Sequence, residues 1–170
     1  MLPLLTRRLR LRALTAGDLD ALAALWMDPL VSVWIGEHTR EDVEEELHLH
    51  IAHQASHGWS LWAVEDRSSG RLIGDCGLQP LELKGPDVEL GYELLPAVWG
   101  HGLATEAAVA SLRAAFGPLG MERVVATVKA ENAASVRVLE KAGMRLVGPR
   151  RAYEEPMLLY DIIRAAGAEH

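Results

Sequence analysis

The stretch "PAVWGHGLATEAAVASLRAAFG" spans Pro96–Gly117 and decides how the whole chain is read. Gly100, Gly102 and Ala104 stand at alternate positions, and the pattern behind them predicts a helix over about 103–116. A helix start leaves backbone N–H groups without partners, and the dipole makes that end positive. Three small residues remove the bulk that would keep an anion away, and glycine reaches backbone angles closed to other residues. The stretch is therefore built as a cradle for a diphosphate. It lacks the Lys-Ser/Thr pair of a P-loop, and Thr105 stands where G-x-G-x-x-G spacing needs a third glycine. On these residues alone, a glycine-rich turn with no ligand stays open.

Working outward, "VELGYELL" from Val88 alternates as a strand leading into the cradle, and "RVVATVK" from Arg123 is a β-branched strand behind the helix. A strand, a helix and a strand in that order predict neighbouring parallel strands joined by a crossover. Upstream, Leu9 to Arg12 alternate apolar and basic, so residues 6–14 read as a half-buried strand. Thr15 and Asp18 suit the start of a helix running to about Met27, which Pro29 ends. Thr39 and Asp42 resemble a capping box for a helix from about Arg40 to Ser56, with Gly58 as its stop. Strands "WSLWAVED" from Trp59 and "RLIGDCGLQPLEL" from Arg71 follow, separated by "SSG". Near the end, "NAASVRVLEKAG" is a helix capped by Asn132 and stopped by Gly143, before two short strands near 144–152 and 156–164.

The 170 residues fit one domain, 1–170, with a sizeable core, and 49 % hydrophobic content excludes a disordered tail. The net charge of −7 argues against binding a nucleic-acid backbone. No apolar run approaches the length of a membrane span, and the N-terminus lacks the order of a secretory signal, so a cytoplasmic protein is expected. The lone Cys76 excludes an internal disulfide.

The order strand, W-G-H-G-L-A-T-E-A, helix, strand, N-A-A-S-V-R-V-L-E-K-A-G-M resembles the GCN5-related N-acetyltransferases, above all the branch of the ribosomal-protein N-terminal acetyltransferases. The family's Gln/Arg-x-x-Gly-x-Gly/Ala motif falls on Trp99 to Ala104, with Trp99 in place of Gln or Arg. Its N-x-x-S and E-K-x-G-F elements fall on Asn132, Ser135, Glu140, Lys141 and Gly143, with Met144 for the Phe. The resemblance covers nearly the whole chain. It implies an α/β (α+β) fold with a mixed, mostly antiparallel sheet of six to seven strands and about four helices, two neighbouring parallel strands splaying to hold coenzyme A.

The resemblance further implies acetyl-CoA as co-substrate, no metal, and direct attack of a primary amine on the thioester. Backbone N–H groups of Gly100, His101, Gly102, Leu103, Ala104 and Thr105 would hold the diphosphate. Exposed backbone at Leu94 and Leu95 would pair with the pantetheine arm, and Asn132 would contact it from the far side. A carboxylate must take the amine's proton. Glu89 matches the usual position of the base. Glu93 shares its strand face, and Glu154 is a third candidate. Many relatives place a tyrosine on the last helix to protonate the leaving sulfur. Here that position is Leu139, which makes Ser135 the expected donor, with Tyr153 or Tyr160 as substitutes.

Other features are read more plainly. His50, His53 and His57 share a helix face, but no carboxylate or cysteine cluster completes a metal site. They fit the surface or the acceptor side of the cleft. Trp34 is placed in a loop near that side, and the acids Glu41 to Glu46 favour a cationic acceptor. The branch resemblance points to a protein or peptide N-terminus. A polyamine, an amino acid, an aminoglycoside-like amine and a non-catalytic coenzyme A sensor are the alternatives, and monomer and homodimer both stay open.

Overall fold

A computed structural model describes residues 1–166. The strands are β1 (Leu4–Leu5), β2 (Leu9–Ala13), β3 (Leu61–Asp66), β4 (Leu72–Pro80), β5 (Val88–Leu94), β6 (Arg123–Val128), β7 (Arg145–Ala152) and β8 (Glu155–Ile163). The helices are α1 (Leu19–Trp26), α2 (Pro29–Ile35), α3 (Arg40–His57), α4 (Leu103–Phe116) and α5 (Ala133–Lys141). All eight strands form one sheet in the order β1-β2-β3-β4-β5-β6-β8-β7. Every neighbouring pair is antiparallel except β5–β6, which α4 crosses between. That parallel pair meets only at Glu89↔Val125, whereas β4 and β5 stay in register from Gly74↔Leu94 to Pro80↔Val88. Beyond Glu89 the two parallel strands part.

Strand alternation gives the sheet two different faces. Even-numbered residues of β4 and β5, such as Cys76, Leu78, Leu90 and Leu94, pack with Ala107, Ala108 and Leu112 of α4 and Leu139 of α5. The opposite face carries Leu61 and Ala63 against Leu22, Leu25 and Trp26 of α1 and Val43 and Leu47 of α3. Glu89, Gly91 and Glu93 belong to this second face by the same alternation. No helix among the described residues is long and apolar enough to cross a membrane.

The observed sheet has eight strands rather than six or seven, and there are five α-helices rather than about four. The extra strand is the two-residue β1. The extra helix, α2, arises because the proline that stops α1 also opens a new helix. Asp28 accepts the Leu30 N–H at 2.9 Å as N-cap, and Pro29, with φ already suited to a helix, takes the first position. Trp34 consequently lies on a helix, not in a loop. The capping box of α3 forms in both directions. The Thr39 N–H donates to Asp42 Oδ2 at 2.7 Å, and the Asp42 N–H donates to Thr39 Oγ1 at 3.1 Å. Gly58 closes that helix in the left-handed conformation, at φ 79°.

Asp18 does more than start a helix. Its two carboxylate oxygens each accept from the Arg12 guanidinium at 2.9 Å, and Oδ2 also takes the Thr15 N–H at 2.8 Å. Burial pushes this carboxyl up, but Arg12 and Thr15 pull it further down, leaving it below the usual range. Its folded-state pKa lies under its unfolded value, so the interaction contributes fully at neutral pH and fades as pH falls below about 4. Asp18→Asn is expected to lower unfolding free energy by about 1.5–3 kcal/mol at pH 7. Urea titrations at pH 7 and pH 3 check this, the gap between variant and wild type closing at the lower pH.

Candidate active site

The start of α4 has the openness that its glycines imply. Gly100 and Gly102 hold φ of 81° and 77°, and Gly102 caps the helix with no side-chain bond to its free N–H groups. A Cβ built on Gly100 would meet nothing within 4 Å, so protein packing does not explain that glycine. The space it leaves is a cradle a side chain would fill. Glu106, in the first helical turn, would repel an anion there. Thr6 Oγ1 donates to it at 2.6 Å, and Arg8 Nε donates at 2.8 Å while Nη1 reaches the His101 carbonyl at 2.9 Å. These donors tie the negative charge to the N-terminal strand region.

From this helix start a cavity of about 670 Å³ runs across the split between β5 and β6. Gly100, Gly102, Leu103, Ala104, Thr105, Asn132 and Ser135 line one end. Trp26, Trp34, His38, Glu46, Glu89, Gly91 and Glu93 line the other, on the α1–α3 side of the sheet. His101 is not part of the cavity wall, and its carbonyl accepts from Arg8. The backbone expectation at Leu95 is corrected. Its N–H donates to the Ile73 carbonyl at 2.9 Å, inside the sheet. By antiparallel alternation the backbone of Tyr92 and Leu94 turns toward β6 instead. The Leu94 carbonyl is covered there by the Trp99 indole N–H at 2.8 Å. Trp99, the departure from the family's motif, thus braces the strand end beside the cradle.

Glu89 is buried at the point where the strands part. Thr127 Oγ1 donates to it at 2.5 Å, Gln79 Nε2 at 3.0 Å, and the Tyr153 hydroxyl donates as well. Burial pushes the carboxyl up, and these donors offset only part of that, so Glu89 ionises above the ordinary glutamate range. Gly91 leaves the strand floor open between Glu89 and Glu93, since a Cβ there would come no closer than 3.6 Å to any neighbour.

Glu93 lies directly across from Asp75 on the next strand. Asp75 is buried, and its Oδ2 accepts the Trp26 indole N–H at 2.7 Å. Its Oδ1 accepts no hydrogen bond. Burial and the neighbouring Asp75 charge drive the Glu93 carboxyl well up, so the two facing carboxyls resist ionising together. Glu154 is corrected too. It is exposed on the turn between β7 and β8, outside the cavity wall, because its neighbour Tyr153 occupies the inward position.

At the other end, Asn132 Oδ1 accepts the Ser135 N–H at 3.2 Å as the cap of α5. The Ser135 hydroxyl lies 2.7 Å from the Tyr92 hydroxyl, which burial keeps protonated far above neutral pH. Tyr92 escaped the sequence reading. Alternation puts it on the α5 side of the strand, but only the folded sheet brings it to Ser135. Leu139 is buried beside them. Tyr160 is buried outside the cavity wall. Of the three histidines expected on the surface or at the acceptor side of the cleft, none lines the cavity. His50 is buried between Ser60 and Glu46, while His53 and His57 stack with centroids 4.1 Å apart. His38, unremarked in the sequence, lines the wall instead.

Residues 8–145 match the acetyltransferase (GNAT) domain family. The chain is 33 % identical over 158 residues to the uncharacterized N-acetyltransferase YoaA of Bacillus subtilis (strain 168), covering 90 % of this chain and 89 % of that one. Its structure is similar to that of an acetyltransferase from Agrobacterium tumefaciens str. C58, with a TM-score of 0.85 and 28 % identity over 96 % of this chain and 95 % of that one. The aminoglycoside acetyltransferase AAC(6')-Ib, solved with coenzyme A, shares the fold with a TM-score of 0.78 and 19 % identity over 92 % of this chain and 95 % of that one. With its open helix start, its single parallel strand pair parting at Glu89, and a family match over most of its length, the chain belongs to the GNAT acetyltransferases.

Proposed function

We propose that this single-domain acetyltransferase uses acetyl-coenzyme A to acetylate a compact, cationic primary amine. The observation that carries the reading is the one cavity joining an anion-ready helix start to an acid-lined chamber through the parting strands. The residues fit the coenzyme. Backbone N–H groups from Gly100 to Thr105 would hold its diphosphate. The backbone of Tyr92 and Leu94 would pair with its pantetheine arm, and Asn132 and Ser135 would border that arm. When bound, the coenzyme supplies an activated acetyl thioester.

Glu89 then takes the proton of the attacking amine through water in the cavity. Its raised pKa moves it toward the working pH and makes it a better base than an ordinary glutamate. Ser135 offers its hydroxyl as a hydrogen-bond donor to the departing sulfur, Tyr92 holds that hydroxyl from 2.7 Å, and the thiolate takes its proton from water in the cavity.

The chamber's chemistry selects the acceptor. Among the described residues no lysine or arginine lies within ion-pair distance of Glu46, Asp75 or Glu93. Lys129 is held elsewhere, by the Val33 carbonyl at 3.2 Å and Glu155 at 2.9 Å, and so ties α2 to β8 at the wall. That tie and the Trp34 side chain form part of the chamber wall, a setting we read as suited to a small amine rather than the N-terminus of a folded protein. Release of free thiol from acetyl-coenzyme A against an amine panel tests this. Diamines and amino sugars are expected to outperform peptide N-termini, with Glu46→Gln and Glu93→Gln each raising their KM roughly tenfold. Preference for peptides, with no effect of either variant, overturns the acceptor reading. No amine-dependent thiol release at all would favour a coenzyme sensor.

A further inference from the structure

The four non-glycine residues with positive φ among the described residues are Glu82 (56°), Leu83 (58°), Tyr153 (52°) and Glu154 (60°). They make up two turns about 70 residues apart in the chain, and the two turns touch. The Tyr153 N–H donates to Glu82 Oε1 at 2.8 Å, and the Glu82 N–H donates to the Tyr153 hydroxyl oxygen at 3.2 Å. Gln79 Nε2 reaches the same oxygen at 3.3 Å. Two of these bonds converge on the phenol oxygen, whose own proton is donated to Glu89.

We infer that Tyr153 is a positioning residue for Glu89, and that Glu82 holds it in place. The inference rests on Glu89 being the base proposed above. Two observations separate it from a simple staple between loops. A staple made for stability would bury its ring, yet Tyr153 remains 41 % exposed. A two-residue hairpin loop with positive φ at both positions is best served by Asn-Gly, yet this one carries Tyr-Glu. The turn therefore keeps residues that strain it, as happens where a side chain is needed for function. What the strain secures is a donor aimed at the carboxylate from outside the sheet. Without that donor the ionised form of Glu89 is held less firmly, and its pKa rises further.

The test compares pH–rate profiles of purified enzyme with the best amine of the panel. Tyr153→Phe keeps the ring and removes the proton. Its acid limb of kcat/KM is expected to move up by about one pH unit, so the loss approaches tenfold well down the acid limb and shrinks at higher pH. Glu82→Ala is expected to give a similar shift, which Glu82→Gln, still able to accept the Tyr153 N–H, reverses. The combined Tyr153→Asn and Glu154→Gly change relieves the turn, so its Tm is expected to rise while the acid limb still moves. Glu89→Gln is measured alongside. If it keeps its rate, the base reading fails and this inference with it. If it is inactive while the Tyr153→Phe and Glu82→Ala profiles overlay the wild type, this inference alone is overturned.

Discussion

Glu89→Gln is expected to lower kcat/KM at pH 7 by about 10² to 10⁴, the range that a positioned general base contributes. Glutamine keeps the shape of the side chain and an oxygen for the Thr127 hydroxyl, but it cannot take a proton. Coenzyme affinity, measured by calorimetry, is expected to stay within about twofold, because Glu89 lies on the α1–α3 face of the sheet and not at the start of α4. The pH profile carries the sign. Burial raises the Glu89 pKa against the pull of three donors, so wild-type activity climbs as pH rises through a value above the usual carboxylate range. That climb is absent from the variant. The remaining pH dependence then belongs to the acceptor amine, near 8 for an α-amino group and about 10 for a lysine-like one. Retention of rate in Glu89→Gln would remove Glu89 from the mechanism.

Gly102→Val is the second large effect, and it acts on the other substrate. At φ 77° a β-branched residue is strained, and its methyl groups would stand at the helix start where the diphosphate is proposed to lie. The KM for acetyl-coenzyme A is expected to rise about 10- to 100-fold, with kcat at saturation changed far less. Strain alone would also destabilise the protein, so a control is needed. Gly120 sits in the exposed turn after α4 at φ 63°, with open space around its would-be Cβ. Gly120→Val carries comparable strain away from the cavity. It is expected to lower Tm like Gly102→Val while leaving the KM for the coenzyme unchanged. Equal KM values in the two variants would end the cradle reading.

The sites differ in how far the chain order foretells them. The capping box at Thr39 and Asp42, the stop at Gly58 and the bare start of α4 all came from residues within four positions of each other. Helix α2 was missed although its signal was present. Asp28-Pro29 was read as an end when it is also a beginning. Leu95 was misassigned because which backbone groups face a neighbour depends on strand register, and Leu95 is bonded to Ile73. The resemblance offers Glu154 as a base and Tyr153 as a proton donor, and of the two only Tyr153 lines the cavity. Only the turn's handedness decides which of two adjacent side chains points inward.

From its own order the chain determined its helix starts and stops, its alternating faces and the parallel strand pair implied by a strand-helix-strand crossover. These follow from hydrogen bonds and side-chain directions that repeat every two to four residues. Tertiary structure alone decided that β5 and β6 part after Glu89, that Asp75 faces Glu93, that Tyr92 meets Ser135 and that Tyr153 reaches Glu89. Those encounters join residues 18 to 64 positions apart. Closing loops of that size is governed by the packing of the whole sheet, which no local pattern encodes.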